Sequence, residues 1–262
     1  MKFGRFEQQG RIFYGSVEGS EVSELEGSIF GSFRATPRKH ALASLKTLVP
    51  CIPPNFYCAG LNYAAHIEWA NRRTGGNRKP PEKADIGYRS ANALAATGEA
   101  IVIPADSPGP VQFEGELVAV IGKSARNLSE KDALSCVLGY TLGNDVSERT
   151  WQKQDRTLWR AKNCDTFKPM GPFIATGIDP MKLTITIKVN GATAAEYGTD
   201  KMLFSAQHYI AQISRYMTLQ PGDVVWLGTD GATEPDLKDG DTVEVIQKDI
   251  GTLRNPVKRA KA

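Results

Sequence analysis

The sequence predicts a mostly β protein with some α-helix. Three observations carry this. Short apolar runs bounded by Gly, Pro, Asn or Asp recur along the chain, as strands and turns require. In Leu183–Val189, the residues Leu183, Ile185, Ile187 and Val189 are apolar and those between are polar, the period-two pattern of a half-buried strand. No regular alternation of strand and helix occurs, and neither a Gly-x-Gly-x-x-Gly nor a P-loop motif is present, which argues against a doubly wound parallel sheet.

The elements follow in order. Residues 1–49 read as short strands and turns, with Arg11–Tyr14 a strand between Gly10 and Gly15. Val49-Pro50 and Pro53-Pro54 mark a break, so a small N-terminal β-rich domain is expected over 1–49 and a larger domain over 50–262. Phe56–Ala59 suits a buried strand, and a helix is expected from Asn62 to about Arg72. The stretch 71–81, rich in Gly, Pro and Arg, reads as a mobile loop, either a solvated excursion or a lid over an anionic substrate. Ala100–Ile103 and Phe113–Ile121 read as strands. Ser129 with Asp132 resembles a capping box, predicting a helix to about Leu138 before a strand at Gly139–Leu142. Asn190-Gly191 makes a hairpin turn after Leu183–Val189. Ser205 caps a helix with Ala206, Tyr209, Ile210, Ile213 and Met217 on one face. Pro221-Gly222-Asp223 then turns into the strand Val224–Leu227.

Composition narrows the function classes. The 262 residues are 41% hydrophobic and 23% charged, ordinary globular usage. A net charge of +3 is too mild for nucleic acid as the main partner. No apolar signal core and no membrane-spanning run is seen, so a cytoplasmic protein without a membrane partner is expected. The four cysteines lack CxxC spacing and read as free thiols, and a count of three histidines argues against a polyhistidine zinc site.

Glu114-Gly115-Glu116 carries the strongest chemical signal. Side chains two apart in a strand share a face, and two carboxylates on one face resist burial unless something positive lies between them. Asp145, just after a strand, is placed to supply a third oxygen, and three carboxylates suit a hard ion such as Mg2+ or Mn2+. Taken alone, Glu114 and Glu116 read first as an edge-strand surface pair. Lys162 is either a surface lysine or a cation for a substrate carboxylate or enolate, and His66 either structural or a general base.

Six blocks, in order, resemble the fumarylacetoacetate hydrolase family. They are Gly60–His66, Phe113–Lys123, Gly139–Arg149 with Gln152, Lys162–Pro172, Leu219–Asp223 and Gly251–Asn255, and the likeness spans about residues 50 to 257. The resemblance implies a mixed β-sandwich roll with a small β-rich N-terminal domain, a homodimer, and Mg2+ or Mn2+ on Glu114, Glu116 and Asp145. It implies that His66 activates water, that Lys162 contacts substrate oxygens, and that Tyr63, Arg89, Arg149, Gln152 and Thr229 lie at substrate positions. The substrate class is a small 2-oxo or 1,3-dioxo acid. The expected reaction is C–C hydrolysis of the acylpyruvate or fumarylacetoacetate type, with a decarboxylase or isomerase/tautomerase of a 2-hydroxy-diene-dioate or oxaloacetate-like acid in aromatic catabolism as alternative. A non-catalytic binding protein is the third reading.

Three departures bear on that choice. Where the family commonly has a glutamate three residues after the histidine, this chain has Trp69, with Glu68 one residue earlier. The family's Gly-Thr-Pro is Gly228-Thr229-Asp230 here, which adds a negative charge near the expected carboxylate pocket. Arg89 stands where the family often has Lys, and a guanidinium can clamp a carboxylate bidentately.

Overall fold

The computed structural model describes residues 1–261. The chain opens with β1 (Lys2–Gln8), β2 (Arg11–Glu18), β3 (Glu21–Gly27), β4 (Phe33–Ala41) and β5 (Lys46–Leu48). Then come β6 (Phe56–Ala59), the helix α1 (Ala64–Thr74), β7 (Ile86–Tyr88), β8 (Leu94–Ala95), β9 (Ile101–Ile103) and β10 (Val111–Gln112). The middle holds β11 (Gly115–Ile121), β12 (Val137–Asn144), β13 (Ser147–Glu148), α2 (Arg149–Gln154), α3 (Trp159–Asn163) and β14 (Lys168–Ala175). The last part is β15 (Thr184–Val189), β16 (Ala192–Gly198), α4 (Ala206–Tyr216), β17 (Val224–Trp226), β18 (Thr242–Gln247) and β19 (Gly251–Arg259).

Two sheets make the roll. The larger runs β4-β3-β2-β1-β14-β12-β11-β17-β6-β7, with β5 on β1 and β8 on β14. The smaller runs β16-β15-β18-β19-β9. Most neighbours are antiparallel, while β17 with β6, β14 with β8 and β19 with β9 are parallel, so the sheets are mixed. The N-terminal strands join the rest through β1 beside β14, with Lys2 opposite Ala175.

Strand β11 lies at the centre because both its faces are apolar. Leu117, Ala119 and Ile121 pack with Ile185, Ile187, Val243 and Val245 between the sheets. Val118 and Val120 point the other way, toward Phe56, Cys58, Met170 and Trp226. Gly115 faces the smaller sheet at a point of close approach: a Cβ there would lie 2.6 Å from Ile187 Cγ1. The alternating segment forms β15 with Leu183, Ile185, Ile187 and Val189 buried, and Asn190-Gly191, both at positive φ, turns it into β16.

Local expectations are corrected in four places. The helix expected over Ser129–Leu138 is a single 3-10 turn at Ala133–Cys136. Ser129 Oγ donates to Asp132 Oδ2 at 2.6 Å, closing a local turn, and Val137 is drawn into the ladder opposite Ile121. Too few residues remain for a helix nucleus to be repaid by propagation. The strand expected from Phe113 begins at Gly115, since the Glu114 amide donates to the Asn144 side chain instead of to a neighbouring strand. Met217 lies just past the end of α4. Helix α1 runs on to Thr74 and stops at left-handed Gly75, and the Asn71 amide group ties the following segment by bonds to both the N–H and C=O of Arg78.

Candidate active site

Antiparallel register builds the acidic cluster. Gly115 at the start of β11 faces Asn144 at the end of β12, so residues flanking those positions meet. The Asp145 amide donates to the Glu114 carbonyl at 2.8 Å, which fixes Asp145 beside the pair. One carboxylate oxygen from each of Glu114, Glu116 and Asp145 lies within 4.8 Å of the others, and all three residues are buried. Such a group can hold a metal ion, and an all-oxygen donor set of this charge fits a hard divalent cation.

Cations surround two of the three acids. Lys162 Nζ bonds Glu114 Oε2 at 2.6 Å and Asp145 Oδ2 at 3.0 Å. Arg149 Nη1 meets Glu114 Oε1 at 2.7 Å. Arg89 clamps Asp145 through Nε and Nη2, at 3.2 and 2.9 Å. Burial would raise Glu114, but Lys162 and Arg149 hold it at about 2. Burial likewise opposes the charge on Asp145, and Arg89, Lys162 and Lys168 override it, keeping the group well below its ordinary value. Glu116 differs. Burial and the neighbouring Asp145 and Glu114 push its carboxyl well above the usual range, and the Gly228 N–H donated to Oε2 at 2.8 Å offsets this only in part. Among the described residues no cation pairs with Glu116, so its charge is the one that a bound divalent ion could balance.

The first turns of α1 bring His66 to the cluster. Its Nδ1 lies 2.8 Å from the Gly231 carbonyl, an acceptor only, so Nδ1 carries the proton and Nε2 keeps a free lone pair. Burial lowers the imidazole below its ordinary value despite nearby Glu114. Trp69 stacks on the His66 ring at 5.4 Å. Glu68 is exposed and faces Arg72 at 3.9 Å, so it does not orient His66; a backbone carbonyl does. The helix is tied down further along, where Arg73 pairs with Glu234 and stands 3.8 Å from Asp236.

The remaining expected residues sit around this centre. Arg149 donates to Gln152 Oε1 at 2.8 Å, to Gln112 Oε1 at 2.7 Å and to Thr233 Oγ1 at 3.1 Å, so Gln152 serves to hold Arg149. Arg89 was expected to clamp a substrate carboxylate; its Nε and Nη2 clamp Asp145, and Nη1 donates to the Tyr88 carbonyl. Tyr63 is fully buried with its ring edge-on to Tyr197 at 5.1 Å. Its hydroxyl finds no partner among the described residues. Thr229 is buried, and the buried Tyr197 donates its hydroxyl to the Gly115 carbonyl at 2.7 Å. Asp230 turns back to accept from the Gly231 N–H at 2.8 Å, so its charge is directed at its own loop.

Lys168 was not foreseen. It is fully buried, its Nζ lies 2.6 Å from Asp145 Oδ1, and burial pushes its ammonium down to about 8. The signal was there to read: a lysine opening the apolar run Lys168–Ala175 needs a buried anion. Gln112, Thr233 and Asp236 also escaped, because nothing local marks a polar residue as another's support.

The sequence matches the Fumarylacetoacetate (FAA) hydrolase C-terminal family over residues 55–258, and the Rv2993c-like, N-terminal family over 1–50. It is 36% identical to Protein Rv2993c of Mycobacterium tuberculosis, over 99% of this chain and 98% of that one. It is 32% identical to Oxaloacetate tautomerase YisK of Bacillus subtilis, over 83% of this chain and 75% of that one. The crystal structure of 5-carboxymethyl-2-hydroxymuconate delta-isomerase from Mycobacterium smegmatis superposes with a TM-score of 0.89 at 35% identity, covering 99% of this chain and 100% of that chain.

Proposed function

The chain belongs to the fumarylacetoacetate hydrolase family, and we propose that it is a divalent-metal-dependent tautomerase of a small 2-oxo dicarboxylic acid of the oxaloacetate type. One observation carries this reading over C–C hydrolysis. His66 is oriented by the Gly231 carbonyl and has no acidic hydrogen-bond partner among the described residues, while Glu68 is exposed. Either reaction makes His66 an imidazolium, but hydrolysis also needs a group beside it to hold and aim a water, and Glu68 does not stand there, whereas a proton on a bound substrate carbon needs only the imidazole. The relatives named as a tautomerase and an isomerase also run proton-transfer reactions.

Glu114, Glu116 and Asp145 would hold the metal, Mg2+ or Mn2+, which supplies a Lewis acid for the 2-oxo oxygen. Lys162 adds positive charge beside it, where the enolate charge collects. His66 Nε2 takes a proton from the carbon next to the oxo group. The C–H electron pair becomes the C2–C3 double bond, negative charge moves to the 2-oxygen, and the His66 imidazolium returns its proton to that oxygen, giving the enol and a neutral imidazole; the reverse sequence gives the ketone. Arg149, paired with Glu114 and held by Gln112, Gln152 and Thr233, has one Nη2 hydrogen left for a remote carboxylate. Tyr63 and Thr229 line the wall behind the ligands, and Arg89 acts through Asp145.

The test is keto–enol exchange of oxaloacetate with Mg2+ or Mn2+, followed by enol absorbance, beside an acylpyruvate panel assayed for acid products. Accelerated exchange without cleavage or CO2 release is expected. Acylpyruvate cleavage without exchange returns the hydrolase reading. We also propose a homodimer as the working form, checked by sedimentation velocity; a species at the chain mass overturns it.

A further inference from the structure

Asp145 is held by more positive charge than any other carboxylate of the cluster, and the two oxygens are held differently. Oδ2 meets Arg89 Nη2 and shares Lys162 Nζ with Glu114, so it lies on the side of Glu114. Oδ1 meets Lys168 Nζ at 2.6 Å and Arg89 Nε at 3.2 Å.

Lys168 is anchored more firmly than its single ion pair suggests. Nζ also donates to the carbonyls of Val146, at 2.9 Å, and Phe167, at 2.8 Å. Three acceptors therefore meet one nitrogen, which matches the three hydrogens of an ammonium, where a neutral amine offers only two. The lysine opens β14, it is 0% exposed, and its acceptors lie on two separated segments, 145–146 and 167. Its position is thus set by main chain, and it in turn fixes Oδ1 of Asp145.

We propose that Lys168 is a positioning residue that keeps Oδ1 occupied, so that Asp145 ligates the metal through Oδ2 alone, and that this biases the site toward Mn2+ and Mg2+ over Ca2+. The physical reason is coordination number. Ca2+ takes six to eight oxygens and commonly uses a carboxylate bidentately, whereas Mg2+ demands near-octahedral single contacts. Oδ2 also meets an ammonium, but Lys162 is shared with Glu114 inside the cluster, whereas Lys168 is fixed to the Val146 and Phe167 carbonyls, so Oδ1 is the oxygen that stays closed to a bidentate contact. This rests on the metal reading above.

The experiment has two arms. In the first, Mn2+ and Ca2+ binding to the apoprotein is measured by calorimetry for the unmodified chain and for Lys168→Met. The unmodified chain is expected to favour Mn2+, and the variant to lose about tenfold or more of that preference. An unchanged ratio of the two dissociation constants in a variant that melts cooperatively overturns the inference. The second arm needs no variant: a crystal structure of the Mn2+-loaded protein is expected to have Asp145 monodentate, with Lys168 Nζ still on Oδ1. Bidentate Asp145 overturns this inference and leaves the metal reading intact. Failure of Mn2+ to bind at all overturns both.

Discussion

His66 and Glu68 sit two positions apart on α1, and that spacing decides which of them reaches the cluster, since two residues apart on a helix do not share a face. His66→Ala should lower tautomerisation by about 10²–10⁴-fold, the usual worth of a positioned base. Glu68→Gln should leave the rate near that of the unmodified chain; a large loss there would restore an acid–histidine dyad. Because burial lowers the imidazole, the acid limb of the rate profile should fall below about pH 6.5. A second residue-level prediction concerns Glu24, buried in β3 and met by both Arg11 Nη atoms at 2.8 and 2.7 Å, with Arg38 and His40 beside it. Hydrogen bonds from Arg11 lower Glu24 to about 2. Its folded pKa lies below the unfolded value of 4.5, so its stabilisation is complete above pH 4.5 and is lost as pH falls toward 2. Glu24→Gln should cost about 1–2 kcal/mol at pH 7, discounted for the half-exposed arginines, and flatten this acid dependence in urea melts. The pair Glu114 and Glu116 was legible as a motif, but the unbalanced charge on Glu116 was not, because only the folded chain shows that Lys162, Arg149 and Arg89 all lie on the other two acids.

At the level of elements, the β11–β12 register does the assembling. It sets Asn144 opposite Gly115 and so Asp145 beside Glu114. Gly115 also lets the two sheets approach, with Ile187 Cγ1 and Val245 Cγ1 at 2.6 and 3.2 Å from the Cβ it lacks. Gly115→Ala should therefore destabilise the fold by about 1–3 kcal/mol through overpacking. It should also lower activity by about 10²-fold, since the strand carrying both glutamates must shift. Stability unchanged in urea would show that the smaller sheet yields freely. The Asn190-Gly191 turn and the Ser205 cap were readable because turn and cap chemistry is local. The helix expected after Ser129 does not form because its last residues belong to a strand whose partner, Ile121, lies in another segment.

Across the molecule, Arg89, Arg149, Lys162 and Lys168 outnumber Glu114, Glu116 and Asp145 by one positive charge even with every acid ionised. A divalent ion raises the excess further, which favours a substrate carrying two carboxylates. Metal binding to the native state alone stabilises it by mass action, about 2.7 kcal/mol at a hundredfold excess over Kd. Mn2+ should then raise Tm by about 5–10 °C, and Glu116→Gln should abolish that rise while melting cooperatively without metal. An undiminished rise in Glu116→Gln would move the metal elsewhere.

The sequence by itself determined the strand-rich architecture and the turns, because periodicity and turn residues act over a few neighbouring positions, while the three acids were joined as a set by their place among six ordered blocks that resemble one family. Only the tertiary structure decided that Lys168 holds Asp145, that Gly231 orients His66, and that Arg89 turns to the protein's own carboxylate. Those pairings join residues far apart in the chain, and which donor meets which acceptor follows from strand register and burial, neither of which any local pattern encodes.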